Sequence, residues 1–143
     1  MIAADHSYFE DVVPGEPHET PAITLTQAHV TQFLGLTGDW PDHVADKTPA
    51  VPNLLPLCIS SGLGFRVPAP PLAVLAFMGF EWRFLQPVRV GDTIRSRSTT
   101  VTKRAMREGG VIVEARDIFN QRGEVAQSGR LTLLVAKRPS GPA

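Results

Sequence analysis

The rhythm of apolar residues changes halfway along this chain. Val30, Phe33 and Leu34 recur at helical spacing within residues 27–36, behind Thr26, a residue suited to capping a helix. Gly35 and Gly38 weaken that helix and then end it. Residues 53–65 are apolar nearly all round, broken only by small polar side chains, which is the pattern of a helix buried on most sides. Asn53 suits its cap, and Pro56 falls in the first turn, where a missing N–H costs least. From Leu72 onward the pattern turns to strands. Residues 73–85 are β-prone, and Thr93 to Lys103 alternates β-branched with charged residues, as an exposed sheet face does. Val111 to Phe119 and Glu124 to Val135 follow, separated by the turn Asn120-Gln121-Arg122-Gly123. Successive strands joined by tight turns predict an antiparallel meander. Pro21 to Leu25 is a further short strand candidate, after a Pro14-Gly15 turn.

The proline distribution sharpens this division. Most of the 13 prolines gather at Pro14 to Pro21, Pro41 to Pro56 and Pro68 to Pro71. Proline removes a backbone donor and fixes φ, so the first half should hold short elements and shaped loops. A length of 143 residues suits one domain with a real core, here residues 1–143, with frayed ends at 1–6 and 138–143. One nearly all-apolar helix and one long antiparallel meander make an α+β chain, with the sheet curled around the helix.

Charge and cysteine content narrow the partners. Fourteen basic and fourteen acidic residues give a net charge of zero, with no reason to expect nucleic acid or an anionic membrane surface as the partner. No apolar run approaches the roughly 20 residues of a membrane span. Cys58, the one cysteine, cannot form an internal disulfide and reads as an inert core thiol. Together with an acidic amino-terminal stretch unlike a signal peptide, this fits a cytoplasmic protein.

The chemistry is concentrated in Gly38-Asp39-Trp40-Pro41-Asp42-His43, just after the first helix. A carboxylate and an imidazole four residues apart can share one water molecule. Such a pair can take a proton from water and deliver one to a substrate. The segment resembles the G-D-x-N-P-x-H active-site motif of MaoC-like dehydratases and (R)-specific enoyl-CoA hydratases, which have the hot-dog fold. Residues 84–94 resemble that family's F-x-x-P-V-x-x-G-D-T-[LI] segment. Phe119-Asn120-Gln121-Arg122-Gly123-Glu124 resembles its closing N-Q-x-G-E hairpin.

The resemblance implies a hydro-lyase of fatty acid metabolism that adds water reversibly to a 2-enoyl thioester, carried by CoA or an acyl-carrier protein. It implies Asp39 as base and His43 as water-positioning and proton-transfer partner. Backbone N–H groups at Asn53 or Leu54 would polarise the carbonyl, with Ser61 at a small active-site serine position. A homodimer with the site across its interface is also implied. Asp39, Asp42, His43 and Asp46 invite a metal reading, but their spacing matches no strong metal signature and no dinucleotide fingerprint appears, so no metal or cofactor is expected. Three departures stand out. The acid and histidine are one residue closer than in the family, Pro52-Asn53 replaces a His-Gly pair, and the loop from His43 to the helix is shorter. These departures favour the alternatives of a non-catalytic acyl-thioester-binding protein, or the silent subunit of a hetero-dimer. An acyl-CoA thioesterase is the third reading. Asp39 also suits a turn, His43 a surface position, Asn53 a plain N-cap and Ser61 simple helix packing. Phe65, Phe77, Met78, Phe80 and Trp82 could line an acyl tunnel or fill the core. Arg66, Arg83, Arg89, Lys103, Arg104 and Arg107 are candidates to meet CoA phosphates.

Overall fold

The computed structural model describes residues 5–38 and 50–140. After a 3-10 turn at Phe9–Asp11 come β1 (Pro17–Glu19), β2 (Ile23–Thr24), α1 (Gln27–Thr37) and α2 (Leu55–Leu63). Four long strands follow: β3 (Val74–Phe84), β4 (Thr93–Met106), β5 (Gly109–Phe119) and β6 (Val125–Val135). All pair antiparallel in the order β1-β4-β5-β6-β3, with β2 also on β4. The sheet packs against α2, so the α+β hot-dog arrangement holds.

The meander holds for β4, β5 and β6 but not for β3. That strand passes beyond β4 and pairs with β6, giving the sheet a more distant end strand than a simple meander predicts. β1 is also unforeseen. Its three exposed residues, Pro17-His18-Glu19, show no alternation, and only pairing with residues 97–99 of β4 defines them.

Helix α1 is capped as expected. Thr26 Oγ1 accepts from the His29 N–H at 3.4 Å, and His29 Nδ1 accepts from the Thr26 N–H at 2.9 Å. At the other end Gly38 adopts φ 70°, a left-handed conformation that costs glycine least, and donates to the Leu34 carbonyl at 2.8 Å. The start of α2 corrects the expectation for Asn53. The helix begins at Leu55 with Leu54 at the N-cap position, and no side chain caps it. Pro56 still sits in the first turn.

Two core clusters divide the interior. Leu25, Val30, Val51, Leu55, Val88, Ile94, Ile118 and Ala126 form the larger one, which joins α1, α2 and the sheet, with Phe33, Ile59 and Trp82 packed against it. Phe9, Ile112, Leu133 and Val135 form the smaller, under the amino-terminal turn. Lys103 belongs to this second region. Its Nζ donates to the Phe9 and Val12 carbonyls at 2.9 Å each and lies 4.5 Å from the Phe9 ring centre, a structural post rather than a free phosphate ligand. Arg138 is tied down as well, donating its N–H to Glu10 and a guanidinium N–H to Asp11.

Candidate functional site

Asp39 and His43 lie outside the described residues. The structure fixes the ends of the segment that carries them. Gly38 closes α1 immediately before Asp39, while Ala50 bridges to Arg89 and the Val51 N–H donates to the Val88 carbonyl at 2.7 Å. Val30 of α1, Val51 and Leu55 of α2 share one core cluster, so both ends of the segment are anchored on the body that holds the amino end of α2.

That amino end has two faces. Leu55, Pro56, Ser60 and Leu63 are buried against the sheet. Leu54, Cys58, Ser61 and Phe65 are exposed, Phe65 to 77%. The helix is thus buried on one side of this chain rather than on most sides. Cys58 is not a core thiol, and Ser61 does not serve simple inward packing. The Leu55 N–H donates to the Pro52 carbonyl at 3.0 Å, and Pro56 has no N–H. Among the described residues, the Asn53 and Leu54 N–H groups meet no acceptor, as expected for the first turn of a helix. Helix polarity adds partial positive charge at the same place.

Beneath this end lies a relay that sequence reasoning missed. Trp82 Nε1 donates to Gln127 Oε1 at 2.9 Å, and Gln127 Nε2 donates to the Asn53 carbonyl at 3.0 Å. Gln127 is only 3% exposed. Gly129, opposite Trp82 in the β3–β6 register, makes the indole position possible, because a Cβ there would lie 2.5 Å from the ring and 2.0 Å from the Glu81 carbonyl. The available signal was a glutamine on a strand face shared with apolar residues, two positions from a glycine.

The buried serine of α2 is Ser60, not Ser61. Its Oγ accepts from Arg116 Nη1 at 3.1 Å, and Arg116 also donates through Nε and Nη2 to Glu114 Oε1 at 3.0 and 2.8 Å. Among Glu114, Arg116 and Ser60 every recorded charge has a partner, so this cluster serves to dock α2 on β5.

The two turn motifs meet each other at the sheet end. Asp92 Oδ2 accepts from the Arg89 N–H and Oδ1 from Gln121 Nε2, both at 2.9 Å, while Gln121 Oε1 accepts from the Thr93 N–H at 3.1 Å. Asn120 Oδ1 accepts from the N–H groups of Arg122 and Glu124, and Gly123 turns the chain at φ 77°. The Arg122 guanidinium hydrogen-bonded to Glu124 holds that carboxyl below the usual carboxylate range. These hydrogen bonds tie the two turns together at the end of the sheet.

Strand β3 ends the sheet, and no described strand pairs with its other edge. Register shifts after Val74 and Phe77 break its alternation, so Leu75, Phe77, Met78 and Phe80 are all half exposed or more instead of filling the core. Among the described residues no three of His, Cys, Asp and Glu lie together as a metal site, and no helix is long and apolar enough to cross a membrane.

Comparison with known proteins fits these features. No family model matches the chain. Protein MaoC of Klebsiella aerogenes is 36% identical over 104 residues, covering 67% of this chain and 31% of that protein, so the match spans about a third of its length. The monoamine oxidase regulatory protein from Archaeoglobus fulgius superposes with a TM-score of 0.84 at 30% identity, over 97% of this chain and 100% of that one. A MaoC-like dehydratase from Rhodospirillum rubrum superposes with a TM-score of 0.81 at 22% identity, over 94% of this chain and 99% of that one, a likeness of fold. With the Archaeoglobus relative 30% identical and matched along its whole length, and protein MaoC 36% identical over 67% of this chain, the chain belongs to the MaoC-like dehydratase family.

Proposed function

We propose that this protein is an enoyl-thioester hydratase, adding water reversibly across the double bond of a 2-enoyl-CoA or acyl-carrier thioester. Asp39 takes a proton from the attacking water, and His43 positions that water and passes a proton on. Addition at C3 builds negative charge on the thioester oxygen, which an N–H at the amino end of α2 stabilises. The proton then returns to C2. Hydration and dehydration share this path in reverse, in keeping with the dehydratase name of the R. rubrum protein.

One observation carries the reading. The acid–histidine segment follows α1 after Gly38 and ends before Ala50, and both of these anchors are tied to the core that presents the amino-end N–H groups of α2. Tethering of residues 38 and 50 beside the amino end of α2 supports a shared site for the acid, the imidazole and the anion-stabilising donors. The exposed apolar β3 edge and the exposed outer face of α2 support a homodimer whose second copy covers them, with Ser61 and Phe65 near the shared site.

The shortened Asp39-to-His43 spacing favours a second reading, a binding protein or silent partner subunit. Incubation of the purified protein with a short and a medium 2-enoyl-CoA separates the possibilities. Loss of the conjugated double bond without free thiol supports the hydratase. Release of thiol indicates a thioesterase, and neither signal in a folded dimer indicates the binding role.

A further inference from the structure

The Gln127 amide can face only one way. Indole Nε1 is a donor only, and a peptide carbonyl is an acceptor only, so Oε1 must meet Trp82 and Nε2 must meet Asn53. A buried group satisfied at both ends by fixed elements has little freedom. Trp82 comes from β3 and packs against the larger core cluster, and the buried Gln127 comes from β6 beside Ala126 of that cluster.

The acceptor in this relay is the carbonyl of the peptide joining Asn53 to Leu54, the N-cap position of α2. A trans peptide is planar, with its C=O and N–H pointing in opposite directions. By drawing the Asn53 oxygen toward the sheet, Gln127 turns the Leu54 N–H away from it, toward the exposed side of the helix. A hydrogen bond accepted by a carbonyl also polarises its own peptide and strengthens that peptide's N–H as a donor. Among the described residues the Leu54 N–H meets no acceptor, and Gln127 sets its direction from outside the helix.

We infer that Gln127 is a positioning residue for the reaction: it aims the Leu54 N–H at the thioester carbonyl, with Trp82 holding it in place. This rests on the reading of the α2 amino end as the carbonyl-polarising site. Preorganised donors aimed at developing charge lower the barrier more than they tighten ground-state binding, so loss of aim falls on kcat rather than KM.

The test uses the intact protein and 4-(dimethylamino)cinnamoyl-CoA, whose absorption moves to longer wavelength when its carbonyl accepts a strong hydrogen bond. The wild-type protein should bind it with such a shift. Gln127→Leu removes the relay. Gln127→Glu keeps an acceptor for Trp82 but sets an oxygen against the Asn53 carbonyl. Both should bind the probe with most of the shift gone, and hydrate a 2-enoyl-CoA with kcat reduced about ten- to a hundredfold and KM within about threefold. Trp82→Phe should show the same pattern more weakly, and it decides the matter if neither Gln127 variant folds. Full shift and full kcat in the folded variants would overturn the inference and leave the site reading standing. No shift in the wild-type protein would overturn the site reading and this inference with it.

Discussion

Gln121 reaches across 29 residues to donate to the Asp92 carboxylate at 2.9 Å, while its own oxygen accepts the Thr93 N–H. One side chain thus locks the Asn120–Gly123 hairpin to the turn that starts β4. Each such bond is worth about 1 kcal/mol, since protein partners replace water. Gln121→Ala should therefore cost about 1 kcal/mol. Asp92→Ala, which also strips the Arg89 N–H of its acceptor, should cost about 2 kcal/mol. Urea unfolding with unchanged m-values reads both.

Gly110 lies against Phe9, and a Cβ there would stand 2.0 Å from the ring. Gly110→Ala should destabilise by about 1–3 kcal/mol through overpacking. Combining it with Phe9→Leu should recover part of the loss, giving a non-additive cycle in thermal unfolding. Additive losses would mean the glycine is needed for its backbone rather than for space.

The ion pair of Arg116 and Glu114 is 15% and 13% exposed at the side chains and also grips Ser60. Removing one charge strands the other in a poorly solvated place. Glu114→Leu alone should cost about 2–3 kcal/mol, somewhat less than a fully buried pair. The double change Glu114→Leu with Arg116→Met should cost less than either single one, as denaturant titration would register.

Phe77 and Phe80 pack edge to face with each other, ring centres 6.0 Å apart, and both are half exposed on the end strand β3. Clustered exposed apolar residues beside a sheet edge that no described strand covers are suited to a second copy of the chain. Phe80→Asp should shift sedimentation from dimer toward monomer and reduce hydration in parallel. An unchanged dimer would place the subunit contact elsewhere.

Much of this fold was legible in the chain because its cues are local. Thr26 and Gly38 bound α1, and Gly91-Asp92 and Asn120 to Gly123 mark the turns of β4, β5 and β6. What escaped depends on distant partners. β1 exists only through β4, β3 gains its place only through β6, and the N-cap of α2 is Leu54, one residue beyond Asn53. The candidate site divides in the same way. Asp39 and His43 stand out by residue type and spacing, whereas Gln127 is one polar residue in a strand until Trp82 and the Asn53 carbonyl are brought to it. Ser60 and Ser61 are neighbours of the same type, and only the position of Arg116 tells the buried docking residue from the exposed one.

The most direct measurement is the hydration rate of a 2-enoyl-CoA by wild-type protein and Asp39→Asn, at saturating substrate and with folding verified. Loss of a general base should lower kcat by about a hundredfold to ten-thousandfold while the variant still binds substrate. Full hydratase activity in Asp39→Asn would remove Asp39 from the chemistry and contradict the proposed reaction.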